Sequence, residues 1–378
     1  MQGPAYPPAR QVAPRIHEHF SRRSEELVQR AGEAPATVPD QVDIEELISA
    51  AFWSSLRREE GTPPRVSLAF LTPEQAGHPL LFERPLRLLP ELLTRVAPGV
   101  DRAGIHVGVW RDAGGLAVWG TTREVPRACF VLEVVGPGLL VVKHHRDDGT
   151  GKFVNVAVIE GDQVKLVDEH ASSLPDCPSL LGSLIGLDAP ETSGPVNVLV
   201  ELAVSMRAHR HGGTLLVVPD ASEEWRESIT RPVPYSVSPP FSALAHLATG
   251  VPRDLSYSTW RDELSRAVDG IAGLTAVDGA TVITATFQLV AFGAKITRRT
   301  GWPQVERLSV TEPVEDNLAR LVDPTELGGT RHLSAAQFVQ DQRDALALVA
   351  SQDGAFTVFA WSPVEDMVHA HRIETLLL

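Results

Sequence analysis

The sequence predicts an α/β protein in two parts: an α+β domain, followed by a mixed sheet flanked by helices. Three observations carry that expectation. At 378 residues the chain is longer than one ordinary core accommodates. The first half runs in short β-like stretches after a single amphipathic helical pattern. The second half alternates helical periodicity with compact β-branched runs, the order expected of a sheet covered by helices.

Residues 1–40 are rich in Pro, Ala, Arg and Glu, with a short helical pattern from His17 to Arg30, and read as a flexible N-terminal arm. Asp43 offers an N-cap to a helix in which Ile44, Leu47, Ile48, Ala51, Phe52 and Leu56 recur on one face until Gly61 and the following prolines. Strands are expected at Val66–Leu71, Gly104–Arg111, Leu116–Gly120, Cys129–Val135 and Leu139–His144, with one helix at Leu86–Val96. Glu160-Gly161-Asp162 joins Phe153–Ile159 to Gln163–Val167 as a hairpin. Residues 41–178 therefore form an α+β domain dominated by antiparallel strands, with its boundary near Leu180–Gly194.

From residue 193 the order changes. Val196 to Met206 reads as a largely buried helix, closed by His211-Gly212-Gly213 before the strand Thr214–Val218. A proline-rich connection through Pro232, Pro234, Pro239 and Pro240 leads to helices at Phe241–Ala248 and Tyr257–Val268. Strands follow at Ala280–Thr286 and Leu289–Ala294, then helices at Val314–Leu321 and Ser334–Arg343, then strands at Ala345–Ala350 and Ala355–Phe359. Residues 193–378 make the second domain.

Composition excludes several functions. Asp and Glu outnumber Lys and Arg by 48 to 34, so a formal charge of −14 repels a nucleic-acid backbone, and no nucleic-acid partner is expected. Apolar runs such as Val196–Val204 fall well short of the ~20 residues that span a bilayer, and the N-terminus has no signal-like apolar stretch, so the protein reads as cytoplasmic with no membrane partner. Cys129 and Cys177 cannot make a disulfide framework or a zinc knuckle by themselves. The pairs His144-His145, His209/His211 and His369/His371 lack Cys or Asp/Glu companions at metal-binding spacing and read as surface or helix-terminal histidines. Ser183, Ser205 and Ser351 have no nucleophile-elbow context.

Two motifs carry chemistry. Asp278-Gly279-Ala280 sets a carboxylate and a side-chain-free backbone at the mouth of an apolar strand, where the carboxylate suits a hard divalent ion and the backbone suits a close ligand. An ordinary Asp-Gly turn is the structural alternative. Gly329-Thr330-Arg331-His332 places flexible backbone, a hydroxyl and a guanidinium before a helix, a setting for phosphate oxygens; a helix start with a solvated arginine is the alternative there.

Taken together, with the Gly213–Val218 strand upstream and Ser351-Gln352-Asp353 downstream, the second half resembles the nucleotide-binding domain of DisA-type diadenylate cyclases. The resemblance implies a diadenylate cyclase-like mixed sheet that condenses two ATP into cyclic di-AMP, using Mg or Mn. It implies Asp278, Arg331 and His332 as catalytic residues, Gly279, Ala280, Gly329, Thr330 and Ser351 around the nucleotide, and Asp278 with Asp353 on the metal. It also implies a homo-oligomer whose sites meet face to face, each holding ATP or another adenine nucleotide. The chain departs from the family pattern at Leu333, where an arginine is expected, and at Gln352, where a glutamate is expected. Those departures set a second reading beside the enzyme: a degenerate domain that senses ATP or a cyclic dinucleotide. By position and texture the first half is similar to the probable sensor modules, of the DACNV kind, that accompany divergent cyclase domains.

Overall fold

Strand β1 (Val66–Phe70) is the centre from which the first sheet grows, and all but one of its residues are buried. The computed structural model describes residues 5–31, 36–102, 104–145, 153–168, 196–220, 222–252 and 255–378. They divide into two compact units, Met1–Val167 with Leu378, and Asp168–Leu377. The expected boundary at 180–194, with Cys177 and Ser183, lies outside the described residues.

In the first unit, β2 (Leu80–Arg87), β3 (His106–Asp112), β4 (Gly115–Thr122), β5 (Phe130–Gly136), β6 (Leu139–His145), β7 (Phe153–Glu160) and β8 (Gln163–Leu166) join β1 in the order β2-β4-β3-β1-β5-β6-β7-β8. The β1/β3 pair is parallel and every other pair is antiparallel. The parallel pair requires a crossover, which is supplied by α3 (Pro90–Val100). Ile44, Leu47 and Ile48 of α2 (Gln41–Ser55) are fully buried in one cluster with Leu68, Val109, Leu132 and Leu140 of the sheet. Burying such side chains stabilises a fold by roughly 1.5 to 3 kcal/mol each.

Three local expectations are corrected. The stretch read as a loose arm contains α1 (Pro7–Ala31), whose Ala9, Val12, Ala13, Ile16 and Phe20 are buried in the same core. Their spacing makes one apolar stripe, which outweighs the charged and proline-rich remainder. The cap of α2 is Asp40 rather than Asp43: Asp40 accepts from the Asp43 N–H at 2.7 Å, and Asp43 closes the reciprocal half of the capping box. The segment Leu86–Val96 is not one helix, because β2 runs to Arg87 and Pro90 occupies the first turn of α3.

The second unit holds a nine-stranded mixed sheet. Its strands are β9 (Gly213–Val218), β10 (Tyr235–Phe241), β11 (Ala280–Thr284), β12 (Leu289–Ala294), β13 (Leu308–Thr311), β14 (Arg320–Val322), β15 (Leu346–Ala350), β16 (Phe356–Ser362) and β17 (Met367–Arg372). Their order is β10-β12-β11-β9-β15-β16-β17-β13-β14, with β9/β11 and β13/β17 parallel. Helix α4 (Val198–Ala208), α5 (Ala243–Ala248) and α6 (Tyr257–Leu274) precede β11, and the short α7 (Pro324–Leu327) precedes α8 (Thr330–Asp341). Ala335, Ala336, Phe338 and Val339 of α8 pack on Leu216, Val218, Ala347, Val349 and Phe359, while alternate residues such as Leu215 and Leu348 are buried on the opposite face.

The expected helix at Val314–Leu321 is absent; a turn leads there into β14, which pairs with β13. The helix expected from Ser334 starts at Thr330, one turn earlier. β10 carries Pro239 and Pro240 and survives as a strand because it lies at the sheet edge, where a missing N–H breaks no ladder. No helix among the described residues is long and apolar enough to cross a membrane.

Candidate functional site

Sheet register brings Asp278-Gly279-Ala280 and the turn at Ser351 to one edge of the second unit. β9 and β11 run parallel with Thr214 opposite Ala280, so both strands begin at the same edge. β12 and β15 run the other way, with Ala294 opposite Ala280 and Ala350 opposite Gly213, so both end there. Gly212, Asp278-Gly279, Lys295 and Ser351 thus leave neighbouring strands side by side.

The Asp278 side chain is 91% exposed, and one carboxylate oxygen is ion-paired with Nζ of Lys295, whose side chain is half exposed. The hydrogen bond and charge of Lys295 hold its carboxyl below the usual carboxylate range, and the positive charge of Arg331 adds to the effect. Gly279 has φ +113°, and a Cβ there would fall 2.5 Å from the carbonyl carbon of Gly293, so this crossing of two backbones admits only glycine. Ala280 is buried at the start of β11. Beside them, the Tyr235 ring stacks on Phe292 with centroids 4.7 Å apart and covers Gly293, yet remains half exposed.

The other motif opens α8. Gly329 is its extended N-cap and supplies no side-chain cap; its carbonyl accepts from the N–H of His332 at 3.0 Å. Thr330 and Arg331 are exposed at this positively polarised end. His332 turns inward, buried, with its ring 6.1 Å from that of Phe359. Burial lowers its pKa, against an opposing pull from Asp353. Leu333 is partly buried and packs against the α8 core cluster.

The turn between β15 and β16 completes the edge. The Ser351 N–H donates to Ala355 O at 2.9 Å, a carboxylate oxygen of Asp353 accepts from the Ala355 N–H at 3.1 Å, and Gln352 Nε2 donates to His211 O at 3.3 Å. Asp278 and Arg331 are therefore electrostatic neighbours, Asp353 acts on His332, and Gln352 is spent on a backbone carbonyl. Sequence reasoning missed Lys295, Tyr235 and Gly212, whose places depend on register and on a strand carrying two prolines.

Among the described residues no group of three His, Cys, Asp or Glu side chains could hold a metal ion. The acidic candidates already have partners, an ammonium at Asp278 and a backbone amide at Asp353. As arranged, these residues do not fit the divalent ion that the resemblance implies. The reading of the histidine pairs as surface or helix-terminal is corrected for three of them: His144, His369 and His371 are buried strand residues, and His369 Nε2 lies 3.0 Å from a carboxylate oxygen of Glu365. Cys129 is fully buried, which pushes its thiol pKa up and leaves it unreactive.

Comparison with known proteins bears on the first unit. Residues 33–123 match the family described as "Probable sensor domain DACNV". The DACNV match runs from just before α2 to just past the end of β4. No curated protein matches the chain. Among solved structures, a hypothetical membrane spanning protein from Bacillus cereus aligns with 46% of this chain and 61% of its own, at 16% identity and a TM-score of 0.26. A double cysteine mutant of DacA from Staphylococcus aureus aligns with 46% of this chain and 83% of its own, at 12% identity and a TM-score of 0.24. The chain thus spans about three fifths of the first structure, and both TM-scores are too low to assign a shared fold.

Proposed function

We propose that this is a nucleotide-signalling protein in which the second unit binds an adenine nucleotide, ATP or cyclic di-AMP, and the DACNV unit acts as its sensor. The observation that supports this reading is the convergence of Arg331, the N-terminus of α8 and Lys295 on one sheet edge beside the exposed Tyr235 ring. Guanidinium, ammonium and helix N–H groups suit phosphate, and the ring suits a base. The first experiment is titration of the full chain with ATP and with cyclic di-AMP by calorimetry; saturable binding of either supports the proposal.

A cyclase reading remains alongside it, because Asp278, Thr330, Arg331 and His332 retain the family's motif. In that reading two chains meet face to face and join two ATP with release of pyrophosphate. Leu333 packed against the core, Gln352 on a carbonyl and Asp278 on Lys295 favour binding over turnover. Incubation with ATP and Mg or Mn, followed by chromatography, separates the two: cyclic di-AMP as product selects the enzyme.

A further inference from the structure

We infer that Lys295 is a built-in cation, so that the second unit takes the polyphosphate of its nucleotide on Lys295 and Arg331 without a divalent metal ion. This rests on the nucleotide-binding reading above and specifies how that site works.

The ion pair with Asp278 is placed by the sheet rather than by chance rotamers. Lys295 directly follows Ala294, which is registered opposite Ala280, and its carbonyl accepts from the Thr230 N–H at 2.8 Å. On the neighbouring strand, Gly279 lies against Gly293 at a separation that leaves no space for a side chain. Backbone on both strands therefore brings Asp278 and Lys295 to the same point.

The charges then decide what the point attracts. Asp278 contributes one negative charge, and Lys295 and Arg331 each contribute a positive charge that acts on it, so the trio is net cationic. A divalent ion would have to share its single carboxylate with an ammonium. It would also find no group of three His, Cys, Asp or Glu ligands among the described residues. Mg demands near-octahedral oxygen coordination, whereas a lysine binds phosphate as a point charge. A nucleotide polyphosphate meets the opposite conditions: it brings negative charge to a net cationic trio, with the Lys295 side chain half exposed to receive it.

The test uses the full chain, with ATP titrated in EDTA and in excess Mg, for the parent, Lys295→Met and Lys295→Arg, with melting curves to confirm folding. The parent is expected to bind ATP in EDTA within about threefold of its affinity in Mg. Lys295→Met is expected to weaken binding in EDTA by about tenfold or more, and Lys295→Arg, which keeps the charge, to restore most of it. Binding by the parent only when Mg is present would overturn the inference, as would EDTA binding that Lys295→Met leaves unchanged. Failure of all three proteins to bind ATP or cyclic di-AMP in either buffer would remove the nucleotide reading itself.

Discussion

The guanidinium of Arg331 lies against the backbone of Gly212, so close that a Cβ on Gly212 would fall 3.0 Å from its Nη1. Gly212 also holds φ +70°, a conformation that L side chains adopt rarely. Gly212→Ala should therefore both displace Arg331 and strain the turn before β9. The expected result is weaker nucleotide binding together with a stability loss of about 1 to 2 kcal/mol, read by calorimetry and thermal melting.

Asp278 and Gly279 are sequence neighbours with opposite expected effects on stability. The Asp278 pair with Lys295 is solvent-exposed, and exposed ion pairs contribute little, so Asp278→Asn should leave the melting temperature within about 1 °C of the parent. Gly279→Ala would press a methyl group into the Gly293 backbone from a left-handed φ, and should cost about 2 to 3 kcal/mol. Melting curves of the two variants check both statements.

Leu333→Arg would restore the family pattern on paper, but the Leu333 side chain packs against the cluster containing Phe338 and Val339. Losing that packing while partly burying a charge should destabilise the second unit by about 1 to 3 kcal/mol, a fall of some 2 to 10 °C in melting temperature. No gain in cyclic di-AMP is expected. A variant as stable as the parent that forms product would show that the guanidinium reaches the site after all.

Acid should weaken the second unit through His371. Burial lowers its pKa from 6.5 to about 4, with the nearby His369 adding to the shift; Nδ1 lies 2.7 Å from the Thr311 hydroxyl, and buried Nε2 has no hydrogen-bond partner. Above pH 6.5 the ring is neutral in both folded and unfolded chains and exacts no penalty. As pH falls from 6.5 toward 4, the unfolded chain takes up the proton first, and stability drops by up to about 3 kcal/mol. Denaturant unfolding across that range should show the loss, and His371→Leu should flatten the profile in part, since buried His332 shifts in the same direction.

Tyr235 offers the half-exposed aromatic face at the edge, already stacked on Phe292 from behind. Stacking of a base on an aromatic ring is worth about 1 to 3 kcal/mol, so Tyr235→Ala should weaken nucleotide binding by roughly fivefold to a hundredfold. Tyr235→Phe should retain most of the affinity. A titration series with both variants separates the ring from its hydroxyl.

Much of this was legible because local chemistry dictated it. Asp278-Gly279-Ala280 does open a buried strand and Gly329-Thr330 does open a helix, as side-chain type and spacing require. The fully buried run of β9 also announces itself. What escaped depends on partners far along the chain. Lys295 reaches Asp278 through the antiparallel pairing of β12 with β11, whose register shifts twice, so counting along the sequence does not align them. β14 and β17 are held by strand neighbours rather than by their own composition, and α1 hid a regular apolar stripe behind prolines and charges. Leu333 looked like a missing arginine until the true start of α8 fixed which way it faces.

The hairpin between β16 and β17 has a practical use. Phe356, at the near end of β16, pairs with Ala350 at the edge that carries Asp278, while Ser362 pairs with Met367 at the far end. Seven residues of strand place residues 363–366 about 23 Å from that edge, and Val364 at the tip is 70% exposed. Such exposed tips accept insertions that leave the backbone ladder intact. If the second unit binds an adenine nucleotide as proposed, a circularly permuted fluorescent protein spliced there would sit at the far end of β16 from the proposed site, and the chain would serve as an optical gauge of that nucleotide in living cells.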